Sequence, residues 1–148
     1  RRPGRTCYAA GPDGLKLSSR NNPMTPYEMI GGEHALRALV KDFYRIMDEL
    51  PEAYGIRKLH PHDLAGSEEK LFMFLSGWLG GPDLFAQRFG HPRLRARHLP
   101  FAIAENERDQ WLLCMREAME LHVRDDSLRG KLYEALAGLA DHMRNRQG

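Results

Sequence analysis

The stretch Gly90-His91-Pro92-Arg93-Leu94-Arg95-Ala96-Arg97-His98-Leu99-Pro100-Phe101 decides how this chain reads. His98 closes a short, Arg-rich run that Pro92 and Pro100 keep from growing into a long helix. Gly90 and the two prolines make residues 83–104 read as loop with a single helical turn. An amphipathic pattern begins soon after, and Trp111 stands thirteen residues beyond His98. An imidazole held on such a stretch suits an axial ligand of a haem iron.

Working outward, the rest of the chain alternates helical patterns with glycine and proline stops. Thr25-Pro26-Tyr27-Glu28 has a capping residue, a proline for the first turn and the acid of a capping box. Gly31-Gly32 stops that short helix. Leu36, Leu39, Val40, Phe43, Tyr44 and Met47 then form one face of a longer helix, which Pro51 ends or turns. Leu71, Phe74, Leu75 and Trp78 repeat the pattern, and Gly80-Gly81-Pro82 breaks it. Beyond the loop, one helix carries Trp111, Met115, Ala118, Met119 and His122. A last one carries Leu128, Leu132, Leu136, Leu139 and Met143. No strand pattern or repeat occurs, so the expectation is all-α with about four substantial helices.

Composition limits the function classes. At 148 residues the chain suffices for one domain with its own core. Hydrophobic residues at 42% and charged residues at 28% are those of a soluble globular protein. A net charge of +2 provides no field that would draw the whole molecule to nucleic acid or to a membrane surface. No apolar run approaches a bilayer span. Cys7 and Cys114 are too few for a disulfide framework or a zinc site, and Cys114 reads as a small core residue; a reducing, cytoplasmic location fits. Residues 1–23 set Arg1, Arg2, Arg5, Lys16 and Arg20 against Asp13 alone. They lack an amphipathic period for a transit peptide and read as a disordered extension. Met24-Thr25-Pro26-Tyr27 looks like a natural start, with a domain over residues 24–148.

From Tyr27 to about Leu121 the chain resembles the group II truncated haemoglobins. The motifs that carry the resemblance are Phe43-Tyr44, Leu64-Ala65-Gly66, Phe74-Leu75 with Gly80-Gly81-Pro82, His91 to Phe101, and Trp111-Leu112-Leu113-Cys114-Met115. Each is weak singly; their order and intervals make the match. The resemblance implies a truncated globin fold, a two-over-two helical sandwich around haem b (iron protoporphyrin IX). The final helix fits that fold without adding much.

Residue by residue, the resemblance makes His98 the proximal iron ligand. Its second ring nitrogen then needs an acceptor to fix the ring, which the sequence does not name. Tyr44 and Trp111 carry over as distal donors to a ligand such as dioxygen; on apolar faces alone they would read as core, but a polar tip in a core needs a partner. Ser67 and Leu71 fall on the distal helix, Ser67 equally readable as a helix-start residue and Leu71 as an apolar wall. Phe74 packs on the haem, and Met115 is a further cofactor contact. His60, in Leu59-His60-Pro61-His62, departs from the family, which usually has Phe or Tyr at this corner. A histidine there can bond to Tyr44 or to the ligand, or reach towards iron, and can partly replace Tyr44 as donor. His62 reads as solvent-exposed. Arg97 and Lys70 are the candidate cations for the haem propionates, with surface charge as the bland alternative.

Other chemistries read less well. Arg93, Arg95 and Arg97 alternate without interleaved aromatics, unlike a nucleic-acid patch. His60, His62, His91 and His98 lack the spacing of a zinc site. Glu68-Glu69 and Glu105/Glu107 lie on polar faces and suggest no hydrolase. The resemblance therefore implies reversible binding of dioxygen, nitric oxide or carbon monoxide at a pentacoordinate ferrous iron. Two donors at roughly 1.5–3 kcal/mol each slow release on the order of a hundredfold or more, at about 1.4 kcal/mol per tenfold. Slow release suits nitric oxide dioxygenation or peroxidase-like chemistry, with an electron donor that the sequence leaves unidentified. The alternative is an oxygen carrier or ligand sensor without turnover, although no signalling segment accompanies the domain. A cofactor-free helical interaction module is a third reading, recognised by the lack of a Soret band.

Overall fold

Thr25 opens the first helix through the reciprocal bonds its sequence calls for. Its hydroxyl accepts the Glu28 amide at 3.1 Å, and the Glu28 carboxylate accepts the Thr25 amide at 3.1 Å. The computed structural model describes residues 24–147, so the expected extension over residues 1–23 lies outside the described residues. Helix α1 (Pro26–Ile30) ends at Gly31, whose φ of 116° is the left-handed conformation glycine tolerates. Helix α2 (Gly32–Glu49) buries Leu36, Leu39, Val40, Phe43, Tyr44 and Met47, the face read from its period, together with Ile46. A single 3-10 turn at Pro51–Ala53 leads into α3 (Tyr54–Arg57).

Helix α4 (Ala65–Trp78) buries Phe74, Leu75 and Trp78 as expected, with Phe72 and Met73 beside them. The next segment departs from the expectation of a loop with one turn, because it forms two helices, α5 (Leu84–Phe89) and α6 (Leu94–His98). At 6 and 5 residues these are too short to show a periodic face, so glycine and proline dominate the sequence signal. Phe85 anchors α5 in the core, and Gly90 at φ 81° separates the pair. Helices α7 (Glu105–His122) and α8 (Asp126–His142) complete the chain, α8 capped by Asp125, which accepts the Leu128 amide at 3.1 Å.

Among the described residues every regular element is helical. Helix α2 packs against α7 and α4, and α7 against α8, so the long helices pair two over two, as expected. His122 reaches from α7 to Asp42 of α2 at 2.7 Å; that bond, then Arg45, holds the Asp42 carboxyl below its usual range. Cys114 is fully buried, and burial pushes its thiol up to about 11. No helix among the described residues is long and apolar enough to cross a membrane.

The Gly80-Gly81-Pro82 stop also has a packing role. The Tyr27 amide donates to the Leu79 carbonyl at 3.0 Å, laying the Tyr27 ring across the end of α4. A Cβ at Gly81 would stand 2.5 Å from that ring. Gly81→Ala is therefore expected to cost about 1–3 kcal/mol of overpacking, a fall in Tm of roughly 3–10 °C for a domain of this size. A thermal melt superimposable on the parent would show that Tyr27 moves aside freely.

Candidate functional site

His98, the expected proximal ligand, is the last residue of α6, a helix of 5 residues. His98 Nδ1 lies 2.6 Å from the Leu94 carbonyl. A carbonyl only accepts, so Nδ1 carries the proton and Nε2 keeps its lone pair. This is the acceptor the sequence left unnamed, and it points to the tautomer a metal ligand needs. His91 has the opposite arrangement, because its Nδ1 accepts the Arg93 amide at 2.9 Å. In the neutral ring Nε2 then bears the proton.

The residues expected on the distal side come from α2, from α7 and from the turn after α3. Tyr44 on α2 is 6% exposed, with its ring edge-on to Phe43 at 4.8 Å, and Phe43 in turn meets Trp111 of α7 at 5.1 Å. Burial, then the charge of Glu68, pushes the Tyr44 phenol well above its usual range. It is thus a neutral O–H donor at physiological pH, and no hydrogen bond satisfies it among the described residues. His60 meets Tyr44 ring to ring at 5.7 Å and 73°.

His60 is firmly held. Its Nδ1 lies 2.9 Å from the Ile56 carbonyl, so this nitrogen too is the protonated one. Burial holds the imidazole below its usual range, opposed by the Ile56 bond and aided by the charges of Arg57 and His98. The corner is pinned by Arg57, which donates to the Pro61 carbonyl at 3.0 Å, to His62 at 2.9 Å and to Asp48 at 2.9 Å. Gln110, beside Trp111, accepts the Ile56 amide at 2.8 Å and ties the same corner to α7. His60 therefore presents Nε2 as an acceptor, which narrows the roles the sequence allowed it. His62 is exposed, as expected.

The remaining expected residues divide by placement. Ser67 and Leu71 lie half-buried on α4, and Lys70 is exposed on the same helix. Phe74 is buried and stacked on Trp78 at 6.4 Å. Met115 is fully buried beneath Trp111 in the sequence of α7. Arg97 donates to the Pro92 carbonyl at 2.6 Å and lies over the Phe85 ring at 5.3 Å. Ring contacts thus join Tyr44, His60 and Trp111 through Phe43, while no hydrogen bond or ion pair ties Ser67 or Lys70 to them among the described residues. Open grooves of about 590 Å³ at Tyr27, Arg37 and Arg88 and about 560 Å³ at Arg95, Arg144 and Arg146 contain none of the distal residues.

The model of the bacterial-like globin family matches residues 25–145. The chain belongs to the bacterial-like globins. This globin is 41% identical over 120 residues to the group 2 truncated haemoglobin YjbI of Bacillus subtilis, covering 81% of this chain and 88% of that one. It superimposes on the group II 2-on-2 haemoglobin of Agrobacterium tumefaciens with a TM-score of 0.82 at 45% identity, over 89% of this chain and 100% of the other. The cold-adapted truncated haemoglobin of Pseudoalteromonas haloplanktis gives a TM-score of 0.81 at 45% identity, over 83% and 99%. Membership makes this globin a haem-based, dioxygen-binding protein of the group II truncated type.

The donor set fits a haem. Among the described residues no three His, Cys, Asp or Glu side chains gather into a metal site of their own. A porphyrin supplies four nitrogens itself, so a single imidazole with Nε2 available is enough, and the buried, unpartnered Tyr44 phenol has the polarity a small ligand requires.

Proposed function

We propose that this globin holds haem b through His98 Nε2, its iron pentacoordinate when ferrous, and either retains dioxygen to oxidise nitric oxide or takes peroxide as its substrate. The observation that carries this reading is the Tyr44 phenol, buried, neutral and without a hydrogen-bond partner among the described residues. The ring is buried while its hydroxyl oxygen is not among the sealed, unsatisfied polar atoms, so its O–H is open to a small polar ligand, and a bond to a charged acceptor there would be worth about 1.5–3 kcal/mol. The haem supplies an iron that binds diatomic molecules, carbon monoxide and nitric oxide as well as dioxygen. The chain supplies the donors: Tyr44 from α2, and Trp111 from α7, whose indole N–H has no bond to the protein among the described residues.

His60 packs edge-on against the Tyr44 ring and leaves its O–H to the ligand, Leu71 and Phe74 wall the distal side, and Ser67 stands at its mouth. Met115 packs beneath Trp111. Lys70 and the guanidinium nitrogens that Arg97 has left meet the propionates. Nitric oxide oxidation would draw one electron per cycle from a separate donor, and peroxide reduction two electrons with two protons.

The test is kinetic. Haem-loaded ferrous protein should show a Soret band and release dioxygen slowly in stopped-flow measurements. Mixed with nitric oxide after equilibration with dioxygen, it should yield one nitrate per haem and leave the iron ferric, the electron balance of NO + O₂ + e⁻ → NO₃⁻. Fast release with no nitrate would instead make it a carrier or sensor.

A further inference from the structure

Asn145 lies beyond the end of α8 at His142, yet it is hydrogen-bonded into the proximal side. Its backbone amide donates to the Ile103 carbonyl at 2.9 Å, and the Ile103 amide donates back to Asn145 Oδ1 at 3.0 Å. Its Nδ2 donates to the His98 carbonyl at 3.1 Å. The orientation of the carboxamide is forced: the Ile103 amide only donates and the His98 carbonyl only accepts, so oxygen and nitrogen cannot be exchanged. Arg95 closes the same strap from the other side, donating to the His142 carbonyl at 2.8 Å and to Arg144 at 2.6 Å.

Such a strap answers a local weakness. A helix of 5 residues, bounded by Gly90 and Pro100, has almost no stability of its own. Its last residue holds its ring through Leu94 of the same turn, so that bond moves with the helix and cannot place it. The His98 carbonyl also accepts the Phe101 amide at 3.0 Å, a bond local to the same turn, so it is the contacts from outside, Arg95 to the chain end and the Asn145 side chain across 47 residues, that fix where the His98 main chain sits.

We propose that Asn145 is a positioning residue for the proximal histidine, setting the direction of the His98 imidazole by holding its main-chain carbonyl. The proposal rests on His98 being the iron ligand. It implies that the end of the final helix is part of the haem site.

The test is the Fe–His stretching band of the ferrous, ligand-free holoprotein, read by resonance Raman, together with the rate of haem transfer to excess apomyoglobin. Asn145→Ala removes both side-chain bonds. Asn145→Asp keeps an acceptor for Ile103 and replaces the donor to His98 by a carboxylate oxygen that repels its carbonyl. Both are expected to shift the band and to speed haem loss by about threefold to tenfold. Leu136→Ala, a cavity in the α8 core, should lower Tm and leave the band in place. A band lost in His98→Ala but unmoved in both Asn145 variants overturns the proposal alone. So does a shift seen with Ala but not Asp, which would place the role in the Ile103 anchor, or an equal shift in Leu136→Ala. A band retained in His98→Ala overturns the ligand assignment and the proposal with it.

Discussion

His98→Ala is expected to lose most of its haem and, in whatever remains, the Fe–His vibration. Removing an outer partner of a ligating histidine costs roughly 10–100-fold in metal affinity. Removing the ligand should exceed that, more than about a hundredfold, or ~2.8 kcal/mol at about 1.4 kcal/mol per tenfold. The fold should survive, because His98 is only half-buried and contributes little to the core. Imidazole added to the variant should restore part of the ligation, since it enters the space the side chain leaves and needs no tautomer imposed on it. His91 is not a ready substitute: its Nδ1 already accepts the Arg93 amide at 2.9 Å, which leaves the proton on the nitrogen that would have to ligate. A variant with a normal ferrous spectrum and an unchanged Fe–His band would nevertheless move the assignment to His91. Measured haem transfer and the Raman band together decide the matter.

The long helices were legible because each buries one continuous face. Leu36 to Met47 and Leu128 to Met143 are buried at the spacing a 3.6-residue turn dictates. What escaped sequence reading was short or non-local. Helices α5 and α6 are too brief to display a period, and the prolines and glycines around them signal loop. The acceptor that orients His98 is a backbone carbonyl, Leu94, and a carbonyl leaves no trace in residue identity. Gln110 and Arg57 steady the His60 corner through backbone groups, which residue identity does not reveal, and for Gln110 that group is 54 residues away. The last helix reads as adding little, yet the chain just past its end is bonded to the His98 carbonyl across 47 residues. A contact of that span, made by one Asn near a charged terminus, has no sequence signature. The aromatic residues fared differently. Tyr44 and Trp111 are named readily by family resemblance, and the structure adds that the Tyr44 ring is buried, its phenol held neutral and without a hydrogen-bond partner among the described residues.

Tyr44→Phe should speed dioxygen release strongly, because it deletes a hydroxyl and keeps the ring packing on Phe43 at 4.8 Å and on His60 at 5.7 Å. A hydrogen bond to a charged acceptor is worth roughly 1.5–3 kcal/mol, so the expected increase is on the order of tenfold to a hundredfold at about 1.4 kcal/mol per tenfold. Trp111→Phe should act in the same direction by a smaller and less pure amount, since it also loses volume at the 5.1 Å contact with Phe43. The double variant should fall short of the product of the two, because both donors serve one ligand through a shared Phe43 contact. His60 determines how the effect depends on pH. The composition of its corner suggests that it takes over as donor when Tyr44 is gone, but its Nδ1–H is committed to Ile56 and burial holds it below its ordinary value, so at neutral pH Nε2 carries only a lone pair. Rescue then requires a second proton. In Tyr44→Phe, release should be fast at pH 7 and above and should slow as pH falls through the lowered His60 value, where Nε2 gains a hydrogen to donate. Tyr44→Phe/His60→Phe should lack that acid limb and stay fast throughout. Stopped-flow release between about pH 5 and 8 on the parent, the single variants and the pair checks each step, using the ordinary His range of about 6.5 as the reference. A flat profile in Tyr44→Phe would confine His60 to packing against the ring at position 44. Rates unchanged in Tyr44→Phe, Trp111→Phe and the Tyr44/His60 pair alike would return all three residues to the core and remove the case for chemistry on a retained ligand.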